Sequence, residues 1–403
     1  MLRAELFEII KNGENSGIEF KRDDIRPEQL AKEVVALANL RGGYILLGVE
    51  DDGSMSGITR VDIEEWVINV CRDKIRPEII PYFELHRDVE PGKHIAVVSV
   101  EMGYAVHHLW HNNHRTYFIR VGRQSRDASP EELERLFQQR GSLRVEIRGV
   151  SGSSIHDLDR RRLKDYFNRI LQQDTPDMQD EDKWIQLLLN MEFLAEENGN
   201  TPATVAGLLL FGINPNKFIP QSGIDAVAYP GIDKDYAARE RRTLRGPMVP
   251  LSGDSGIVDS GLVEQAIQFV RRNTQVTAEL EDGARRVEKW TYPEEAVKES
   301  IVNALVHRDY LLSSTDIELS IYDNRLEVIS PGRLPNGITP ERMKVGCRAA
   351  RNQLLKDVMR DYRYLEHSGM GVSRKIVKGM KDHNGTEPDL IEDGEQFIVR
   401  LWK

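Results

Sequence analysis

The chain has 403 residues, of which 40% are hydrophobic and 30% charged; that is apolar content enough for about two or three domains with cores of their own, and it excludes general disorder. Lys+Arg 55 against Asp+Glu 65 leaves a formal net charge of −10, so any contact with nucleic acid has to use local basic patches. The two cysteines, Cys71 and Cys347, are far apart, which excludes a disulfide framework and a cysteine-based zinc site, and no stretch approaches the roughly 18 uncharged apolar residues of a spanning helix.

Residues 2–10 read as an amphipathic helix, without the apolar core and cleavage site of a secretory signal, and a cytoplasmic protein with no membrane partner is expected. Gly13 and Gly17 lead into a short strand at 17–21. From Pro27 a helix carries Leu30, Val34, Leu37 and Ala38 on one stripe and stops before Gly42-Gly43. The apolar run 44–49, bounded by glycine, reads as a buried strand, and Asp52-Gly53 as a turn. A helix at 63–73 and strands at 94–101 and 116–121 follow. Ser129-Pro130-Glu131-Glu132 is a helix start: serine can cap the third backbone N–H, proline fits the first turn and Glu132 can reach back.

Beyond a polar linker at 149–154, a charged helix is expected at 158–172, a polar break at 174–182 and a helix near 184–197. The apolar stretch 205–211 fits a strand or a buried helix. The polar segments 253–260 and 279–288 read as loops. The fold class this implies is α/β with mixed α+β sheets, in three domains: 1–145, a middle domain over 146–284, and 285–403.

Glu14 lies just outside the first strand, Glu19 within it, and Asp51 just after the strand 44–49. If those strands pair, three acids converge at one sheet edge, where carboxylates repel unless a cation sits among them. Oxygen-rich sites suit Mg²⁺ or Mn²⁺, which can activate water against a phosphodiester. Lys21, two residues beyond Glu19, would share its face and could neutralise a phosphate oxygen. Solvated surface acids are the competing account. Nearby bases are Lys21, Arg22, Arg26, Arg120, Arg123 and Arg126, and Arg120 and Arg123 flank a Val-Gly step that a phosphate could approach. His107, His108, His111 and His114 suggest either a metal site or a polar hairpin around Asn112-Asn113, with the hairpin the simpler reading.

Gly17-Ile18-Glu19-Phe20-Lys21, Ala36-Leu37-Ala38-Asn39, the run from Gly42-Gly43-Tyr44 to Asp51-Asp52-Gly53, and Tyr117-Phe118-Ile119-Arg120-Val121-Gly122 together resemble the Schlafen core, the AlbA_2 nucleic-acid-binding domain, over roughly residues 1–145. The resemblance implies a catalytic acidic triad at Glu14, Glu19 and Asp51 in members that cleave RNA. Other members are DNA-binding or regulatory.

Near the C-terminus, a helix at 293–306 places Glu299 and Asn303 four residues apart on one face, where a carboxylate can orient water and an amide oxygen can hold Mg²⁺ on nucleotide phosphates. Gly332 follows a strand at 326–330, and Gly369-Met370-Gly371 precedes a helix at 372–378, whose N-terminal N–H groups could face phosphate. Glu299 to Tyr310, Ser330 to Gly337 and Glu366 to Val372 resemble a divergent GHKL-type ATPase domain over roughly 285–403. That resemblance makes Glu299 the general base, Asn303 the Mg²⁺ ligand and Gly369 and Gly371 the phosphate loop. Ser330-Pro331-Gly332 replaces the family's D-x-G-x-G loop, so the aspartate that reads adenine is missing.

These readings combine into a metal-dependent endoribonuclease controlled by ATP, with Glu14, Glu19, Asp51 and Lys21 as the catalytic set and Lys21, Arg22, Arg120 and Arg123 on the nucleic acid. The alternative is an ATP-responsive DNA-binding regulator without nuclease activity. Either is expected to act as a homo-oligomer in stress control or antiviral defence, as the family suggests.

Overall fold

Helix Pro27–Asn39 forms where the apolar stripe predicts it, and Leu30, Val34, Val35, Leu37 and Ala38 are all buried. Each fully buried leucine or valine contributes about 1.5–3 kcal/mol through the area it removes from water. This computed structural model describes the chain apart from residues 275, 282–284, 314, 336–337, 347–348 and 367–369. It divides into two units, Met1–Leu143 and Arg144–Lys403.

In the first unit a four-stranded sheet runs in the order Ile18–Lys21, Gly43–Leu47, Lys93–Val100, Tyr82–Glu90. The first pair is parallel, with Glu19 opposite Ile45, and the other pairs are antiparallel. Alternation along the strand Gly43–Leu47 supplies two cores. Ile45 and Leu47 join Leu30, Val34 and Leu37 on one side; Leu46 joins Leu6, Ile10, Phe20 and Val97 on the other. Helix Arg3–Asn12 covers the second side with its Leu6 and Ile10. Helix Pro130–Gln139 starts with the expected reciprocal cap: Glu132 N donates to Ser129 Oγ (3.3 Å) and Ser129 N to Glu132 Oε2 (2.8 Å).

The second unit is organised on a six-stranded sheet, ordered Glu240–Leu244, Ile224–Ala228, Ile317–Ile321, Arg325–Pro331, Gln396–Trp402, Asp389–Asp393. Strand Ile224–Ala228 pairs in parallel with Ile317–Ile321, so this sheet runs across position 284, where the sequence places a domain boundary. Helices Leu262–Asn273 and Glu294–His307 pack against it and against each other. Residues 205–211 settle as a buried helix, Val205–Phe211, whose start is capped by Thr204 Oγ1 accepting from Gly207 N at 3.0 Å.

Two expected loops are hairpins. Leu251–Gly253 pairs with Gly256–Asp259, and Val276–Glu281 with Arg285–Trp290. Polar composition marks exposure to water, and a solvated two-stranded ribbon is as polar as a loop. The helix expected at 158–172 is π-helical over Tyr166–Ile170, and the one expected at 372–378 is π-helical throughout, over Val372–Lys378.

Candidate functional site

The expected metal centre sits on the strand Ile18–Lys21, and its central carboxylate is already neutralised. Glu19 is buried, and one oxygen meets Lys21 Nζ while the other lies 2.5 Å from Arg120 Nη1. Arg120 comes from the strand Phe118–Val121. Its guanidinium is fully buried, donates to the carbonyls of Asn15 (2.8 Å) and Ile18 (2.9 Å), and lies 3.3 Å from the Glu33 carboxylate. Ser125 Oγ also donates to Glu33. Burial, with the neighbouring Glu19 adding to it, raises the Glu33 carboxyl above its usual range against the pull of Ser125, Lys21 and Arg120.

The other two acids are placed differently. Glu14 accepts from Phe20 N at 2.9 Å, closing the turn before the strand, while Asp51 is exposed in the turn after Gly43–Leu47. Among the described residues no three acid, histidine or cysteine side chains are grouped to hold a metal ion. The Mg²⁺ or Mn²⁺ expected on Glu14, Glu19 and Asp51 therefore does not fit, because the Arg120 guanidinium supplies the positive charge a cation would bring.

One of the expected nucleic-acid contacts, Arg120, is corrected with it. Arg120 is internal, and Lys21, besides Glu19, donates to the carbonyl of Phe20 at 2.9 Å. Arg123 is exposed, and Arg22 is exposed with Asp24 at 3.2 Å. The histidine segment is a hairpin, His108–His111 with His114–Thr116, turned at Asn112 and Asn113, both at positive φ. The role of Asn39 was not foreseen. Its buried amide donates to His107 O and Phe118 O, both at 2.9 Å, and accepts from His107 N, tying the helix end to two chain segments.

In the second unit a cleft lies between the helix Glu294–His307, the strands Arg325–Pro331 and Gln396–Trp402, and Leu365, Glu366, Gly371 and Val372. Glu299, Asn303 and His307 recur every fourth residue and all line it. Asn303 Nδ2 donates to Glu299 Oε1 at 3.1 Å, and Lys375 Nζ lies 3.7 Å from Glu299 Oε2 and 3.2 Å from Glu295. Burial raises the Glu299 carboxyl above its ordinary value, opposed by Lys375 and Asn303. A buried carboxylate held near an ammonium can accept a proton from water, and the amide oxygen of Asn303 is chemically suited to Mg²⁺ carried on phosphates. Lys375 was missed; only its one-turn spacing beyond Gly371 could have flagged it.

Gly371 is needed for its lack of a side chain. A Cβ there would lie 1.9 Å from Glu299 Oε1. Gly369 lies outside the described residues. Gly332 lines the cleft at φ +113°, and a Cβ would meet Arg351 Nη1 at 2.6 Å. Its amide is engaged with Glu395 O at 2.7 Å, so Gly332 shapes the wall and its N–H is not available to phosphate.

Residues 14–129 match the family model described as "Schlafen, AlbA_2", and residues 314–401 match "Putative ATP-dependent DNA helicase recG C-terminal". The two matches fall where the motifs place the two domains. The second begins downstream of Glu299 and Asn303, which the fold brings to the same cleft. These families support a nucleic-acid-related function and an ATPase-like C-terminal domain. No curated protein matches the chain. Among solved structures, the crystal structure of the DIP2311 protein from Corynebacterium diphtheriae is similar at 19% identity, covering 99% of this chain and 79% of that one with a TM-score of 0.48. No helix among the described residues is long and apolar enough to cross a membrane.

Proposed function

From a Schlafen/AlbA_2 match in the first unit and an ATPase-type match in the second, we propose that this protein is an ATP-responsive regulator that binds DNA without cutting it. The observation that carries this reading is the cleft, where Glu299 and Asn303 share one helix face and Gly371 leaves room for the carboxylate. Asn303 would hold Mg²⁺ through its amide oxygen, and the ion would neutralise charge on the nucleotide phosphates. Glu299, whose ionised form Lys375 favours against the effect of burial, would orient water and take its proton.

The non-cutting half rests on Arg120, whose guanidinium stands between Glu19 and Glu33 and already supplies the positive charge beside the Glu19 carboxylate. DNA is favoured over RNA because the family model matched by the C-terminal domain is described by a DNA helicase. Exposed Arg22 and Arg123, with part-exposed Lys21, are the proposed phosphate contacts that remain.

The test is a gel shift of the full chain on labelled duplex DNA and on RNA, with and without Mg²⁺ and ATP, followed by sizing of the nucleic acid. Intact DNA with an ATP-dependent change in affinity is expected. Mg²⁺-dependent fragments that disappear in Glu19→Gln would restore the nuclease reading, and an RNA-only shift would change the substrate class.

A further inference from the structure

The histidine hairpin of the first unit has two faces of different chemistry. Three short strands pair in the order Ile75–Arg76, His108–His111, His114–Thr116. Leu109 stands between Ile75 and Thr116, and Ile75 and Leu109 are buried in the core that holds Leu30 and Val34. Alternation turns the neighbouring residues the other way. Trp110 lies opposite Arg115 and His108 opposite Arg76, and Tyr117 follows two residues beyond Arg115. Between ring centres, His108 is 5.0 Å from Tyr117 and 6.5 Å from Trp110, and Tyr117 is 5.9 Å from Phe137 of the helix Pro130–Gln139. Each of these rings is half-buried, so its neighbours fix it while water still reaches it.

The two arginines on this face are exposed. Arg76 donates to the carbonyls of Arg72 and Ile75, Arg115 stands 5.8 Å from the centre of the Trp110 ring, and neither forms an ion pair with a carboxylate among the described residues. In a chain of net charge −10 this is the kind of local basic patch that contact with nucleic acid requires. Burial, with the Arg115 and Arg76 charges, holds the His108 imidazole below its ordinary value, so near pH 7 it offers a neutral flat ring.

We propose that this face is a stacking platform for unpaired bases of single-stranded DNA, with a base laid on the Trp110 ring and the adjoining phosphates held by Arg115 and Arg76. This deepens, and rests on, the DNA-binding reading above. A duplex hides the faces of its bases in its own stack, and only an unpaired base can lie on an indole. Widening the gap between indole and guanidinium from 5.8 Å to about 7 Å, two contact distances of roughly 3.5 Å, admits a base between them, and the exposed Arg115 can make that move.

The test is fluorescence anisotropy of the full chain on labelled ligands of one length: oligo(dT), the same backbone with abasic sites throughout, and duplex DNA. Wild type is expected to hold oligo(dT) about tenfold more tightly than the abasic strand, the worth of one stacked base. Trp110→Ala should bring oligo(dT) down to the abasic affinity and leave the abasic strand and the duplex unchanged. Trp110→Phe, which keeps a ring, should retain part of the preference and guards against misfolding of the first variant. Arg115→Gln should weaken both single strands alike and make their salt dependence shallower. Equal wild-type affinity for oligo(dT) and the abasic strand, an unchanged preference in a folded Trp110→Ala, or binding to oligo(U) in place of oligo(dT) would overturn the assignment. Binding to duplex and to neither single strand would overturn it and leave the DNA-binding reading standing, whereas failure to bind any DNA would remove that reading beneath it.

Discussion

Arg120→Met removes the one guanidinium that neutralises the buried centre of the first unit. Its consequence follows from the contacts: Glu19 at 2.5 Å and Glu33 at 3.3 Å lose their shared cation, and the carbonyls of Asn15 and Ile18 lose their donor. Breaking a buried pair from one side leaves an uncompensated charge and costs about 3–5 kcal/mol. Part of this is relieved at Glu33, whose carboxyl already sits above its usual range and can take up a proton. A domain of this size has only about 5–15 kcal/mol of stability in total, so a fall in its melting temperature on the order of 10 °C is expected. Urea unfolding of the full chain, followed in the first transition to move, measures it. Pairing Arg120→Met with Glu19→Gln should recover part of the loss, because Lys21, which pairs with Glu19 in the wild type, then has one buried carboxylate instead of two to balance. A loss under about 1 kcal/mol, or Mn²⁺ stabilising wild type but not Glu19→Gln, would refute the argument that the arginine occupies the cation's place.

Three further outcomes are expected. Gly371→Ala should displace the Glu299 carboxylate, which a Cβ would approach to 1.9 Å, and abolish Mg²⁺-dependent nucleotide hydrolysis while changing stability by less than about 1 kcal/mol; steady-state kinetics and a melt check it. In the wild-type rate profile the acid limb should lie above the ordinary glutamate value of 4.5, since burial raises the Glu299 carboxyl and only its ionised form accepts a proton; Lys375→Met should move that limb higher still. Asp23 accepts from Thr59 N (2.8 Å), Thr59 Oγ1 (2.7 Å) and Arg60 N (2.9 Å), and these bonds outweigh its burial to hold the carboxyl below 3.8. Its contribution is therefore present above the unfolded value and lost as pH falls through the lower folded one. The stability gap between wild type and Asp23→Asn, about 1–3 kcal/mol near neutrality, should close in denaturant titrations below pH 4.

The sequence by itself determined what is local and periodic. The stripe Leu30, Val34, Leu37, Ala38 made a helix, glycine-bounded apolar runs made strands, and Ser129 with Glu132 made the expected cap, because each depends on neighbours within a few positions. Glu299, Asn303 and Gly371 were equally legible, since helical spacing carries two of them and a motif the third. What only the tertiary structure decided is which charges meet. Arg120 is 101 residues from Glu19 in the chain, and no pattern in either segment announces that the strand Phe118–Val121 will deliver a guanidinium into the carboxylates. The strands Ile224–Ala228 and Ile317–Ile321 are likewise far apart in sequence and become neighbours in one sheet. The hydrogen bonds that fill or spare a polar atom follow from such long-range pairings, and so it was packing that gave Arg120 its partners.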